Sequence, residues 1–223
     1  MTCAALVVAK APVPGLVKTR LGADVGLAVA ADLAAAGLLD TMDACEAAFG
    51  VRHLAVAGDL RGAIRGAELC ERTGVWTVHE QRGDGFATRL AHAHADAGDP
   101  ARPVVQVGMD TPHVTPAGLL AVADALHGHD AVLGPADDGG WWVLALRHPR
   151  HAAALRGVEM STDRTGADTL AALESAGARV ALAAPLRDVD TAEDAEAVAA
   201  LAPGTRFARA WRAARTAGAG EPA

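Results

Sequence analysis

Four short segments hold the residues best suited to phosphate and metal chemistry. The first, Lys10-Ala11-Pro12-Val13-Pro14-Gly15-Leu16-Val17-Lys18-Thr19-Arg20-Leu21, joins three cations to two prolines and a glycine. Such a loop can offer a phosphate both exposed backbone N–H groups and fixed positive charge. A solvated basic loop on an acidic protein has the same composition, and neither G-x-x-x-x-G-K-S/T nor G-x-G-x-x-G occurs in the chain. In the second segment, Gly108-Met109-Asp110-Thr111-Pro112, an aspartate precedes a turn-forming Thr-Pro. A magnesium ion takes one or two protein carboxylates and completes its shell with water and substrate phosphates; an aspartate can equally close a turn on its own backbone. The third, Asp188-Val189-Asp190-Thr191, would put both carboxylates on one side of an extended chain, where they can share a cation. Asp190 or Thr191 could also cap the helix that follows. The fourth, Asp137-Asp138-Gly139-Gly140, sets two repelling carboxylates beside glycines that let a backbone approach a ligand, or forms an acidic hairpin turn.

A fifth stretch, Gln81-Arg82-Gly83-Asp84-Gly85 with Arg89 one turn further on, could face a base, a ribose or a phosphate, or be a plain turn. His92 and His94, like His127 and His129, stand two apart on expected helices or helix ends, so their rings diverge and solvated helix faces are expected. Ser161-Thr162-Asp163 reads as a helix cap, because no G-x-S-x-G context surrounds it.

Elements that alternate between strand and helix must position these segments. Apolar runs at Ala4–Ala9, His53–Ala57, Val75–His79, Pro103–Val107, Ala131–Gly134, Trp141–Leu146 and Arg179–Ala183 predict strands. Helices are predicted over Val25–Phe49, Leu60–Glu71, Gly85–Ala97, Asp163–Ala176, from Thr115-Pro116 to Leu126, and from a Thr191/Asp194 capping box through Leu201. This order implies βαβ units and a mainly parallel sheet covered on both faces, with the close pair at 131–146 admitting an antiparallel strand. Ligands in such sheets sit beyond the carboxyl ends of the strands, where the five segments begin.

The 223 residues suit one α/β domain over 1–215, with a small polar tail at 216–223 expected to be disordered. A net charge of -7 argues against nucleic acid as a partner, since phosphate neutralisation needs a basic face. No apolar run reaches the ~18 residues of a membrane helix, so no membrane association is expected. The N-terminus shows no leader-like pattern, and three widely spaced cysteines (Cys3, Cys45, Cys70) read as reduced thiols, which together suggest the cytoplasm. Alanine-rich helices leave a homodimer open.

Taken in order, the segments at 10–21, 108–112, 134–140 and 186–191 resemble the DUF2064 family, a bacterial group labelled glycosyltransferase A-like. It is similar to the guanylyltransferases of molybdenum-cofactor and coenzyme F420 biosynthesis. The resemblance covers roughly residues 4–200 and implies a GT-A fold, a nucleotide-diphospho-sugar transferase-like Rossmannoid. It also implies that Lys18 and Arg20, with Lys10 and Gly15, hold nucleotide phosphates, and that Gln81, Gly85 and Arg89 lie near base and ribose. Asp110 would carry the main metal contact for Mg²⁺ or Mn²⁺, Asp188 or Asp190 the second, and Asp137, Asp138, Gly139 and Gly140 would face the acceptor. Trp141-Trp142 stands where the family often has tyrosines, and Met160 where a tryptophan is common.

The expected function is metal-dependent nucleotidyl transfer from a nucleoside triphosphate to a small phosphorylated or anionic acceptor, with Lys18, Arg20 and Asp110 as the catalytic set. Cations in the first loop suit a triphosphate tail, and mid-chain Asp110 stands alone rather than in D-x-D. Glycosyl transfer from a nucleotide-sugar is the alternative, and a nucleotide-binding protein without chemistry is the third.

Overall fold

The computed structural model describes residues 2–99 and 101–218. Seven strands form one sheet: β1 Ala4–Lys10, β2 Val51–Ala57, β3 Thr77–Glu80, β4 Val104–Val107, β5 Ala131–Pro135, β6 Trp141–Leu146 and β7 Val180–Leu182. Their spatial order is β3-β2-β1-β4-β6-β5-β7. All pairings are parallel except those of β6, which runs antiparallel to both β4 and β5. The interruption expected at 131–146 is therefore this strand.

The continuous apolar runs mark strands buried on both faces. On one face α2 (Leu27–Ala48) and α5 (Pro116–Ala125) pack Leu38, Met42 and Leu119 against Val7 and Val105. On the other, α4 (Phe86–Ala97) and a 3-10 stretch, Pro149–Gly157, pack Leu90 and Leu155 against Leu6 and Leu144. A third cluster joins α1 (Thr19–Val25) and α2 to α7 (Ala192–Leu201) and α8 (Arg206–Gly218) through Leu33, Val198, Phe207 and Trp211.

The expected helix from Val25 begins at Leu27, because Gly26, at φ 87°, separates it from α1. The segment expected to run as one helix over 60–71 splits into a 3-10 turn, Leu60–Gly62, and α3, Gly66–Arg72. Arg65 in left-handed conformation, tied to Asp32, makes the break. The predicted capping box is present: Asp194 N–H donates to Thr191 Oγ1, and Thr191 N–H to the Asp194 carboxylate. Thr115 likewise caps α5 through Gly118 N–H, and Pro116 opens the helix.

Sequence reading did not anticipate α8. Its first N–H groups, on Arg206 and Phe207, donate to the Asp40 carboxylate on α2 at 3.0 and 2.8 Å, and Trp211 Nε1 donates to Glu196 at 2.8 Å. Of the expected tail, Thr216–Gly218 continue this helix; residues 219–223 lie outside the described residues. Among the described residues, no helix is long and apolar enough to cross a membrane.

Candidate active site

The chain leaves β1 through a loop fastened at its start, with Ala11 N–H donating to Ala57 O and Ile64 N–H to Pro12 O. The loop ends at Lys18, whose backbone is left-handed at φ 47° just before α1. A non-glycine residue pays for that conformation. Here it accompanies a side chain aimed inward, with Nζ 2.7 Å from Asp110 and 2.8 Å from Asp190. Burial by itself would lower the Lys18 pKa; the two carboxylates outweigh it and hold the ammonium charged, its pKa raised. Arg20, whose side chain is 79% exposed, stands 3.7 Å from Asp190.

Asp110 follows β4, and its carbonyl accepts the Val189 N–H at 3.0 Å, which fastens the second and third acidic segments together. Val189 is buried in the helical cluster, so Asp188 and Asp190 on either side of it face the site, as an extended D-x-D requires. Thr191 is the helix cap at the same time. The two aspartates differ electrically. Burial raises Asp188, the nearby charge of Asp110 adds to it and Lys18 only partly offsets both, so its pKa is pushed up to about 7. Asp190 is also opposed by burial, but Lys18 and Arg20 outweigh that and keep it below the usual carboxylate range.

These groups border a cavity of about 530 Å³ at the carboxyl ends of the central strands. Arg20, Asp110, Asp138, Gly140, Asp188 and Asp190 line it; Lys18 lies beneath, bridging two of the aspartates. Among the described residues, no three His, Cys, Asp or Glu side chains are grouped so as to hold a metal. The position between Asp110 and Asp190 is occupied by the Lys18 ammonium.

Other expected site residues fall elsewhere. Lys10 is exposed and its N–H meets Met109 Sδ, while Gly15 makes a turn at φ 80°. Gln81, placed near base and ribose by the resemblance, donates its amide to Ala9 O and Ala55 O and so closes strand ends. Gly85 precedes α4, and Arg89 lies over the Phe86 ring at 5.7 Å; of these three, only Phe86 lines the cavity. Asp137 turns away to pair with Arg187 at 3.4 Å. Gly139 does permit a close approach, but to protein. At φ 88° its backbone lies so near Asp163 that a Cβ would sit 2.1 Å from the Asp163 carbonyl, and its own carbonyl accepts Gly166 N–H.

That contact brings in a segment read from sequence only as a cap. Met160, Ser161, Thr162 and Asp163 line the cavity, and the helix behind them, α6, begins at Thr165. Gln106 and Trp141 complete the wall. The expectation of solvated histidines fails at His94, which is fully buried and bonded to Gln106 at 2.8 Å. A glutamine inside an otherwise apolar strand was the available signal.

The acidic crevice lies at the carboxyl ends of the strands, where open α/β sheets bind ligands. A Desulfovibrio desulfuricans protein, described provisionally as a nucleotide-diphospho-sugar transferase, superposes with a TM-score of 0.80 at 25% identity over 98% of this chain and 96% of its own. Rv0371c of Mycobacterium tuberculosis gives 0.56 at 21% identity over 89% and 98% of the two chains. A CMP:2-keto-3-deoxy-manno-octonic acid synthetase solved with CTP gives 0.56 at 12% over 91% and 99%, a likeness of fold. No curated protein matches the chain significantly. The family described as "Uncharacterized protein conserved in bacteria (DUF2064)" matches residues 41–162, and the chain belongs to it. Both the expected family and the expected GT-A-like transferase fold are thereby confirmed.

Proposed function

We propose that the chain is a metal-dependent nucleotidyltransferase that moves a nucleoside monophosphate from a triphosphate to a small acceptor. One observation carries this reading: two carboxylates, Asp110 and Asp190, enclose the Lys18 ammonium at the strand ends, and Asp188 lines the same cavity. The donor set suits a divalent ion. It consists of hard oxygens, it already accommodates a positive charge, and burial and the neighbouring Asp110 charge push the Asp188 pKa up to about 7, so a further cation would favour its ionised form. Asp110 and Asp190, with Asp188, would hold Mg²⁺ or Mn²⁺, which when bound neutralises phosphate oxygens.

The chain's own residues do the rest. Arg20, exposed at the rim, meets the phosphate tail. Lys18 exchanges its carboxylate partners for phosphate oxygens and follows charge toward the departing pyrophosphate. The wall formed by Asp138, Gly140 and residues 160–163 holds the acceptor in line. Such catalysis rests on positioning and fixed charge, with no covalent intermediate on the protein.

Glycosyl transfer from a nucleotide-sugar is the second reading, favoured by the description of the Desulfovibrio neighbour. A thermal-shift panel of nucleoside triphosphates and nucleotide-sugars, each with and without Mg²⁺, separates the two. A ligand at ~100 times its Kd adds ~2.7 kcal/mol, or ~5–10 °C at this size. We expect a metal-dependent shift with a triphosphate that disappears in Asp110→Ala. A shift confined to nucleotide-sugars would transfer the case to the glycosyltransferase; no shift from any nucleotide would overturn both.

A further inference from the structure

Gln106 lies on β4 with only 2% of its surface exposed, and what remains faces the acidic cavity. Its Oε1 is 2.8 Å from Nε2 of His94 on α4. The imidazole is fully buried, and burial pushes its pKa down to about 4, so at neutral pH it carries a single N–H. His94 Nδ1 has no partner among the described residues. A proton there would be a buried donor without an acceptor, whereas a proton on Nε2 has one in Gln106 Oε1. The tautomer is thus fixed: Nε2–H donates, Oε1 accepts, and the Gln106 amide N–H pair is turned to the cavity.

Thr111 and Trp141 also line the cavity, but the Thr111 hydroxyl and the Trp141 indole N–H are themselves closed off from solvent and have no partner among the described residues. Of the three, Gln106 is therefore the polar group the cavity can offer: a glutamine held by a buried histidine through its oxygen leaves its amide N–H groups fixed and free to donate. The charge of the wall limits what ligand can accept from it. Asp110, Asp138, Asp163, Asp188 and Asp190 line the cavity against a single cationic side chain, Arg20, among the described residues, which disfavours a multiply charged anion.

We infer that Gln106, held in place by His94, is a specificity-determining residue that donates its amide N–H groups to the oxygens of a neutral, hydroxyl-rich molecule such as a sugar or polyol. This rests on reading the cavity as the substrate site, and it makes the acceptor's recognised part uncharged, where the sequence led us to expect a phosphorylated or anionic acceptor. His94 is a positioning residue.

The test uses the full-length, ¹⁵N-labelled protein. Long-range ¹H–¹⁵N spectra at pH 7 should show the His94 proton on Nε2; a proton on Nδ1 overturns the proposed orientation. D-glucose, D-mannose and myo-inositol are then titrated in without nucleotide. At least one should move the Gln106 side-chain amide resonances saturably, and if none does the inference is wrong. Gln106→Leu should raise the Kd for that probe about tenfold, the equivalent of ~1.4 kcal/mol; unchanged affinity would also overturn it. His94→Phe should weaken binding with loss of the amide signature, and His94→Gln, which can place a donor near the lost Nε2, should restore it. Because the wild-type titration needs no variant, misfolding of a mutant leaves the test intact. Because it needs no nucleotide, its failure is separable from that of the nucleotide panel.

Discussion

Replacing Asp188 by asparagine should stabilise the protein increasingly as pH rises from 3.8 to about 7. Burial and the charge of Asp110 hold the Asp188 pKa at about 7 in the native state, against 3.8 for an ordinary aspartate. Between those values the native state binds a proton that the unfolded chain has released, so this residue's contribution falls as pH rises through the interval. Above pH 7 the full penalty is present. At ~1.4 kcal/mol per pH unit, the interval from 3.8 to about 7 gives ~4 kcal/mol for a fully insulated group. Solvent in the cavity screens part of this, leaving ~2–3 kcal/mol. Asparagine keeps the shape and cannot ionise. Urea unfolding of both proteins at pH 5 and pH 8.5, in the presence of a chelator, should therefore give a variant more stable by ~1 kcal/mol at pH 5, where about a third of the interval has been crossed, and by ~2–3 kcal/mol at pH 8.5. His94, whose depressed pKa makes it a source of acid destabilisation in its own right, is shared by both proteins and cancels in the difference. A difference that stays flat from pH 5 to pH 8.5 would refute the argument, and with it the crowding of carboxylates on which the site reading depends.

Removing the other half of that balance acts in the opposite direction. Lys18→Met leaves Asp110 and Asp190 without their shared cation; since both carboxylates are partly exposed, the loss should be ~2 kcal/mol rather than the larger penalty of a sealed pair, measurable by urea unfolding at pH 7. Gly139→Ala must fit a methyl 2.1 Å from the Asp163 carbonyl at φ 88°, so it should cost at least ~2–3 kcal/mol and spread the 137–140 and 160–163 loops, seen as backbone amide shifts in both. Asp40→Ala removes the acceptor of two N–H groups at the start of α8; a fall of ~1–2 kcal/mol, with Trp211 fluorescence moving before the global transition, would distinguish fraying of that helix from general destabilisation.

The sequence exposes what is written locally and conceals what is joined at a distance. Continuous apolar runs such as Ala4–Ala9 and Trp141–Leu146 announce buried strands because nothing else needs that composition, and the Thr191/Asp194 box is a contact across three residues. Asp188 and Asp190 are legible for the same reason: their common side follows from the strand period. Lys18 is not. Its composition reads as one of three free cations, and only the fold supplies the two aspartates that enclose it. Gln81 misled because a βα turn suggests ligand contact, while its amide was needed to close the strand ends at Ala9 and Ala55. Helix α8, with arginines at 206, 209, 212 and 215, lacks any apolar run, and its order depends on Asp40 far back in the chain. The 160–163 wall was hidden because its partner, Gly139, is defined by a backbone contact that no residue type reports.

The electrostatics of the site follow from one shortage. Asp110, Asp188 and Asp190 are brought together by a backbone bond, Val189 N–H to Asp110 O, and by the burial of Val189, so the fold fixes their proximity whether or not their charges are balanced. One ammonium balances part of the set. Asp190, which faces Lys18 and Arg20, is held in its ionised form; Asp188, shielded from solvent and facing Asp110, takes up a proton instead. A helix terminus or a surface patch would relieve such crowding by letting a side chain swing into water, but here the anchoring of Val189 holds the two aspartates at its sides. On the proposed reading, a divalent cation taken up by Asp110 and Asp190 would compete with Lys18 for those oxygens and would favour the ionised form of Asp188. Binding of such a cation should therefore release protons in proportion to the proton occupancy of Asp188, which a pH-stat titration with MgCl2 would read.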